Sequence, residues 1–206
     1  MANEYATVDD LRDQIGDISN RGALAHLQRL LTVASRDVDQ YTGRRFWLDP
    51  TPTTRSFDVP AVVDDGRLLI DDIGSRTGLV VGAGLDGVTY DAIDAAEYEL
   101  HPLNSDLTDS DAYAWWWLSE SAAVWNGGYG SWLWNRRVRI TARWGWSAPP
   151  AAVVEATLLR AVSLYKRKDA PFGVAGFDGY GGSVRIRTDP DFAALLAPYR
   201  RAVGIA

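Results

Sequence analysis

The chain has 206 residues, of which 47% are hydrophobic and 23% are charged, a composition typical of one folded domain or of one domain with a sizeable insertion. It contains no cysteine and only two histidines, which excludes disulfides, thiolate metal sites and cysteine nucleophiles. Its apolar runs are far shorter than the roughly 20 residues that a membrane span needs. The first residues also lack the build of a signal peptide. We therefore expect a chain that is made and assembled in a cytosol and does not meet a membrane.

Charge is distributed unevenly along the chain, whose formal net charge is −6. Residues 49–146 carry 15 acidic and 7 basic side chains, whereas residues 147–206 carry 5 acidic and 8 basic ones. An acidic middle part is a poor nucleic-acid-binding surface, because phosphate binding needs clustered cations. The basic C-terminal part suits either an acidic partner surface or a solvated face.

The first 48 residues contain two helix patterns. Thr7 followed by Asp9 and Asp10 is typical of an N-cap with acids in the first turn, and Gly16 ends this short helix. A longer helix is predicted from about Gly22 to Tyr41. Its apolar residues recur every three or four positions and predict one packed face: Leu24, Leu27, Leu31, Ala34, Val38 and Tyr41.

The pattern changes at Asp49–Pro52, whose prolines break any helix. Short β-type runs separated by turn residues follow, at 54–59, 67–70, 78–81, 88–90, 98–101 and 137–144. The last run alternates polar and apolar residues, which is the period of a strand with one solvated face. Residues 49–146 are therefore predicted to form a β-rich insertion, a small barrel or sandwich.

Helix returns after Trp146, where Pro149 and Pro150 suit a first turn. Val154, Leu158, Ala161 and Tyr165 form a second stripe, which ends at the basic cluster Lys166, Arg167 and Lys168. Residues 169–183 are predicted to be a long loop, 184–187 an edge strand, and 190–196 a short helix.

Neither helical end of the chain can bury its apolar stripe alone. We therefore predict an α+β fold, in which both chain ends form a small helical bundle around the inserted β-rich domain. The predicted domains are 1–48 together with 147–206, and 49–146.

The sequence Gly82–Gly87 matches the G-x-G-x-x-G pattern of dinucleotide-binding proteins. That motif requires a helix after its third glycine, with the helix N-terminus against the pyrophosphate. Here Val88, Thr89 and Tyr90 follow, and these residues favour a strand. We interpret the motif as a glycine-rich hairpin and keep a nicotinamide-dependent enzyme only as a third hypothesis.

The acidic residues form no recognisable catalytic or metal-binding pattern. Asp106, Asp109 and Asp111 miss the spacing, the central glycine and the terminal glutamate of a calcium loop. Asp64–Asp65 and Asp71–Asp72 are interpreted as turn residues. Catalytic, cofactor-binding and metal residues are therefore predicted to be none, and the chain is predicted not to be an enzyme.

Eight tryptophans lie between residues 115 and 146. Such a density suits a β core, a subunit interface or a sugar-binding platform. If Trp115–Trp117 is a strand, its side chains alternate between two faces, so at least one is expected at an interface. Five tryptophans are assigned to a subunit interface: Trp115, Trp116, Trp117, Trp132 and Trp134. The alternative is a tryptophan-rich binding module that recognises a glycan or another surface feature.

Three parts of the sequence resemble the head–tail connector proteins of long-tailed bacteriophages, also called head-completion or adaptor proteins. The first part is Tyr5–Arg12 with Leu30–Asp39 and Tyr41–Phe46; the second is Arg137–Trp146 with Pro150–Ala156; the third is Leu164–Val174 with Asp189–Asp191 and Leu195–Arg201. Their order and spacing carry the resemblance, which covers both helical ends. The stretch from Trp115 to Trp134 matches no motif of the family.

The resemblance implies a structural protein of the virion neck that forms a homo-oligomeric ring, usually twelvefold, below the portal protein. Such a ring extends the channel through which double-stranded DNA passes without sequence-specific contacts. It also provides the attachment platform for a head-closure (stopper) or tail-terminator protein.

In that family the C-terminal segment reaches the portal. The resemblance therefore implies portal docking by residues 197–206 and extends this role to the loop 169–187. The residues assigned to docking are Pro198, Tyr199, Arg200, Arg201, Lys166, Arg167 and Lys168.

Overall fold

A computed structural model describes residues 3–16, 21–58, 67–107, 113–121, 137–167, 174–177, 183–185 and 190–201. The chain divides into two compact units, one made of Met1–Arg44 with Pro149–Val203 and one built on Arg45–Ala148. The described residues of the first unit are mainly helical, and those of the second form a sheet. The predicted α+β class is confirmed.

The described part of the helical unit contains four helices: α1 (Val8–Ile15), α2 (Arg21–Thr42), α3 (Ala151–Arg167) and α4 (Pro190–Leu196). Helix α1 begins as predicted, because the Thr7 hydroxyl accepts the Asp10 N–H at 3.1 Å and the Asp10 carboxylate accepts the Thr7 N–H at 2.9 Å. The Thr7 hydroxyl also donates to the Asp10 carboxylate at 2.7 Å, and this bond, together with the bond from the Thr7 N–H, holds the pKa of Asp10 below its ordinary value. The helix ends at Gly16, whose φ is +90°.

The helices pack around a core that the predicted α2 stripe supplies in large part. The buried residues of this core are Ala6, Leu11, Leu27, Leu31, Ala34, Leu158 and Ala161. On α3 the buried arc is wider than the predicted stripe, since Val153, Ala156 and Thr157 are buried too. Predicted members Val154 and Tyr165 are half-buried against the core. The arc is wider because α3 contacts α1, α2 and α4.

The β-rich unit contains six described strands: β1 (Thr53–Asp58), β2 (Arg67–Gly84), β3 (Asp91–Ile93), β4 (Tyr98–His101), β5 (Trp115–Glu120) and β6 (Arg137–Trp144). They form one antiparallel sheet in the order β1-β6-β2-β5-β4, with β3 paired to β2. Within the described residues β1 and β4 do not pair, so the sheet is open rather than closed as a barrel.

Two of the predicted runs, 67–70 and 78–81, are parts of the single long strand β2. Its pairing shifts register between Leu69 and Ile73 and again between Ser75 and Val80, and such irregularities bend a strand. The bend lets β2 pair with β5 through its first half and with β3 through its last residues. The run predicted at 88–90 begins instead at Asp91.

Strand β6 confirms the predicted alternation. Val138, Ile140, Ala142 and Trp144 are all fully buried, whereas Arg137 and Arg139 are exposed. These inward residues meet Leu68, Ile70 and Ile73 of β2 and Leu118 of β5 in one apolar core.

A small two-stranded antiparallel sheet, β7 (Val174–Phe177) and β8 (Ser183–Arg185), completes the described strands. Strand β8 overlaps the predicted edge strand. Strand β7 lies inside the segment predicted as a loop, where Val174 and Phe177 favour extended backbone despite the surrounding glycines.

The turn after β6 is built on Gly145, whose φ is +105° and whose N–H donates to the Asp72 carbonyl at 2.7 Å. A Cβ on Gly145 would lie 1.9 Å from the Trp47 carbonyl oxygen. This close approach fixes Trp146 and the end of β6 against residues 45–48.

We expect Gly145→Ala to destabilise the protein far more than Gly16→Ala does. At Gly16 the φ is also positive but an added Cβ meets nothing within 4 Å, so the cost is backbone strain of about 1–2 kcal/mol. At Gly145 the collision with Trp47 adds about 1–3 kcal/mol more. Urea denaturation of both variants measures this difference, and equal losses would contradict the described turn.

Candidate interaction surfaces

The segment after α4 is tied to the C-terminal end of α2 through its backbone. A 3-10 turn spans Ala197–Tyr199. The Arg201 N–H donates to the Thr42 carbonyl at 2.8 Å, and Arg44 Nε donates to the Tyr199 carbonyl at 2.9 Å. The backbone of the described part of the predicted docking segment is therefore anchored to the end of α2.

This anchoring decides which of the assigned docking side chains are accessible. Pro198 and Arg200 are exposed, whereas Tyr199 and Arg201 are half-buried. The Arg200 guanidinium lies 5.4 Å from the centre of the Tyr41 ring, which is a cation–π distance. The exposed surface of this segment is small, basic and rigid.

The other assigned docking residues lie at the end of α3. Lys166 and Arg167 are exposed in the last turn, where positive charge suits the helix dipole. Lys168, residues 202–206 and most of the loop 169–187 lie outside the described residues. The docking set thus combines two separate helix ends.

Trp115 belongs to the core of the β-rich unit and not to a surface. Its side chain is 1% exposed, with the Tyr113 ring edge-on at 5.2 Å and the Arg76 guanidinium 4.8 Å from its ring centre. A ring buried inside its own chain has no area left for a neighbouring subunit. The assignment of Trp115 to a subunit interface is therefore corrected.

Trp116 packs within an aromatic cluster of its own chain. Its ring stacks on Trp146, with centres 6.3 Å apart and planes 15° apart, and Phe46 lies 5.2 Å from Trp146 on another side. Trp146 Nε1 donates to a carboxylate oxygen of Asp72 at 3.0 Å. Trp116 is half-buried, so part of its ring is accessible.

The pair Asp71 and Asp72, interpreted from sequence as turn residues, lies inside β2. The two side chains alternate: Asp71 accepts from Arg55 Nη1 at 2.6 Å, and Asp72 is buried beside Trp146. The local sequence did not show this, because both partners lie on other strands or loops.

Trp117 lies on the outward face of the sheet. It is in register with Leu69 and His101, and the next residue, Leu118, is buried in the core on the opposite face. His101 Nε2 lies 2.8 Å from Ser119 Oγ. Burial lowers the pKa of His101, nearby Arg67 lowers it further, and Glu99 opposes both. Trp132 and Trp134 lie outside the described residues.

The Gly82–Gly87 motif forms the hairpin that joins β2 to β3, which confirms the hairpin interpretation. Gly82 pairs with Ala92, and a Cβ on Gly84 would lie 2.0 Å from the Thr89 carbonyl oxygen. The next element after Gly87 is strand β3 and not a helix, so the pyrophosphate site that the motif would require is not formed.

The hairpin tip is rigid and apolar. The Asp86 Oδ1 accepts the N–H groups of Val88 at 2.8 Å and Thr89 at 2.7 Å, and these bonds lower the pKa of Asp86. Gly87 adopts a φ of +73°. Leu85 and Val88, which are 73% and 77% exposed, are the most exposed large hydrophobic residues in the described part of the chain.

The helical unit contains an open cleft of about 260 Å³ between α2, α3 and α4. Its lining residues are Asp37, Gln40, Tyr41, Leu159, Arg160, Ser163 and Phe192. Arg160 Nε and an Asp37 carboxylate oxygen are 2.6 Å apart, and the rings of Tyr41 and Phe192 meet edge-on at 5.5 Å. Sequence reasoning missed this cleft because three helices contribute to it and no motif marks it.

Two classes of site have no counterpart in the described ranges. No group of three or more metal-ligating side chains lies together there, and no helix is long and apolar enough to cross a membrane. Asp106 lies in a 3-10 turn, Ser105–Leu107, whereas Asp109 and Asp111 fall outside the described ranges.

The whole-chain fold resembles that of a known virion chain. In the solved structure of the "Virion of native gene transfer agent (GTA) particle", one chain superposes with a TM-score of 0.51 and 16% sequence identity, covering 97% of this chain and 92% of that chain. At this identity the likeness establishes the fold. No protein-family model and no curated protein matches the sequence.

We expect Trp115→Ala and Trp117→Ala to separate core from surface. Removing the buried Trp115 ring should lower the free energy of unfolding by about 3–5 kcal/mol. The same change at Trp117 should cost less than half of that, since one side of this ring faces outward. Thermal and urea unfolding measure both, and equal losses would place Trp117 in the core.

We expect the stabilising effect of Asp86 to depend on pH. Because its pKa is lowered in the folded state, its contribution is present above the unfolded-state pKa and is lost as pH falls through the folded-state pKa. Asp86→Ala should therefore be less stable than the unchanged protein at neutral pH, and the difference should disappear in acid. A difference that is constant with pH would contradict the capped loop.

Proposed function

We propose that this chain is a ring-forming head–tail adaptor of a virion neck. In this proposal the ring sits below the portal protein, extends the DNA channel, and is the platform for the next neck or tail protein. The observation that supports it most is the likeness of fold to a gene transfer agent virion chain over nearly the whole length of both chains. The connector resemblance of both helical ends supplies the specific place in the neck.

In the proposed ring, residues 1–48 and 147–206 are the connector core and residues 49–146 are an insertion. A closed ring of identical subunits requires two different lateral surfaces on each subunit, because its contacts are head-to-tail. The net charge of −6 suits a conduit, since acidic walls repel DNA weakly and let it slide without sequence-specific contacts. No cofactor or catalytic residue has a role in this function.

Portal docking is assigned to two basic helix ends. Arg200 and Pro198 project from a segment whose backbone is bonded to Thr42 and Arg44, so little entropy is lost when a partner binds them. Lys166 and Arg167 add exposed positive charge at the end of α3. Such a surface would meet an acidic region of the portal.

The alternative function, glycan recognition through a tryptophan platform, has less support. Of the three consecutive tryptophans, Trp115 is buried and Trp116 is stacked on Trp146 within the chain. Trp116 and Trp117 are both half-buried, so these three residues offer a limited aromatic surface, whereas a sugar platform needs a broad stacking face. A glycan array with binding that Trp117→Ala removes would revive this alternative.

We expect the purified chain to form rings when mixed with the portal protein of its own particle. The triple variant Arg200→Glu, Lys166→Glu and Arg167→Glu should bind portal at least about tenfold more weakly, since each lost charge contact of this kind contributes on the order of 1 kcal/mol. Arg29→Glu, an exposed arginine on α2, is the matched control. Negative-stain microscopy and pull-down with portal measure both steps.

Two results would contradict the proposed function. The first is the absence of any ring or portal binding by the unchanged chain. The second is equal portal binding by the triple variant and by Arg29→Glu, which would remove the docking role from these helix ends.

A further inference from the structure

Two surfaces of the chain are not among the residues assigned to portal docking: the tip of the β2–β3 hairpin and the cleft between α2, α3 and α4. We infer that the tip of one copy, Leu85 and Val88, inserts into the cleft of the next copy, beside Tyr41, Leu159 and Phe192. This inference rests on the proposed ring and names one of its lateral contacts.

The hairpin tip is built to present its side chains in a fixed position. Asp86 caps the loop through two backbone N–H groups, and Gly84 and Gly87 permit a backbone path that other residues would strain. A preorganised loop loses little conformational entropy on binding. The apolar side chains at this tip can therefore bind without first being ordered.

Exposure of the tip is costly unless a partner covers it. Each of these aliphatic side chains gains about 1.5–3 kcal/mol when fully buried, which corresponds to roughly one to two powers of ten in affinity. Leu85 and Val88 are more exposed than Val33, Val80 and Leu103, the other large hydrophobics exposed in the described residues. Both residues lie in the turn between β2 and β3 and not in a strand of the sheet.

The cleft is suited to this occupant in size and in character. Its volume of about 260 Å³ is of the size that two aliphatic side chains need. Tyr41, Phe192 and Leu159 are its apolar lining residues, and Gln40 and Ser163 are polar ones. A hydrophobic tip on one copy and a complementary cleft elsewhere on another copy give a head-to-tail contact.

Several charged groups near the two surfaces already have partners. Asp37 is paired with Arg160 at the cleft, Arg137 is paired with Asp58 near the tip, and the Asp86 carboxylate is bonded to loop N–H groups. Covering this contact would therefore not leave these paired groups without partners, and the Arg200 guanidinium already lies over the ring of Tyr41 at the cleft.

The absence of cysteine in the natural sequence allows a direct trap. Val88→Cys and Ser163→Cys are made separately, mixed with portal under mild oxidation, and the cross-linked dimer is identified by mass spectrometry of its peptides. The Leu103→Cys variant, another exposed hydrophobic position, replaces Val88→Cys as the control. Because each copy carries a single introduced thiol, a disulfide that joins positions 88 and 163 can form only between copies.

We expect at least about tenfold more mixed disulfide from the Val88 and Ser163 pair than from the Leu103 and Ser163 pair, since docking raises the effective thiol concentration. Equal yields would overturn the inference. So would preferential joining of two Val88→Cys copies, which would indicate a tip-to-tip contact.

Ring formation with portal gives a second measurement. The double variant Leu85→Ser and Val88→Ser, and the cleft-filling variant Ser163→Trp, should each bind portal but lose rings, whereas Leu103→Ser should retain them. Circular dichroism and unfolding confirm that each variant is folded. Unimpaired rings in both test variants would overturn the tip-to-cleft contact and leave the proposed function standing, whereas absence of rings in the unchanged protein would count against the proposed function itself.

Discussion

The packing of α2 against α3 is the constraint on which the rest of the structure depends. Leu27 and Leu31 on α2 are buried with Leu158 and Ala161 on α3, although more than a hundred residues separate the two helices in sequence. A helix of this amphipathic kind is not stable alone in water, so both ends of the chain must meet before either is stable. The insertion between the two helices therefore has to begin and end close to the packed helix pair.

The sheet meets this requirement through its own topology. Its first strand, β1, pairs with its last strand, β6, with Thr53 opposite Ala142 and Asp58 opposite Arg137. The insertion thus begins and ends on neighbouring strands. Strand β6 also pairs with β2 on its other side. At the end of the insertion, Gly145 lies close to the carbonyl of Trp47. The insertion can vary in content as long as this first-to-last pairing is kept.

Features that depend on local chemistry were predictable from sequence, and features that depend on register were not. The Thr7 cap, the α2 stripe and the alternation of β6 each follow from neighbouring residues, and the structure confirms them. The continuity of β2, the burial of Trp115 and the bond from Trp146 to Asp72 depend on which strand lies opposite. The same holds for the cleft, because Tyr41, Leu159 and Phe192 meet only after three helices have packed.

The proposed surfaces differ in strength, and this difference bears on the order of assembly. A lateral contact made by two aliphatic side chains is weak, so free copies would remain largely separate. Docking of basic helix ends on a portal would place copies side by side and raise their effective concentration, which can strengthen a second contact by two or more powers of ten. A weak, preformed tip is then an advantage, because it prevents rings from closing before the portal is present. In the proposed neck, Leu85 and Val88 are therefore exposed in the single chain and become covered only when the portal has brought the copies together.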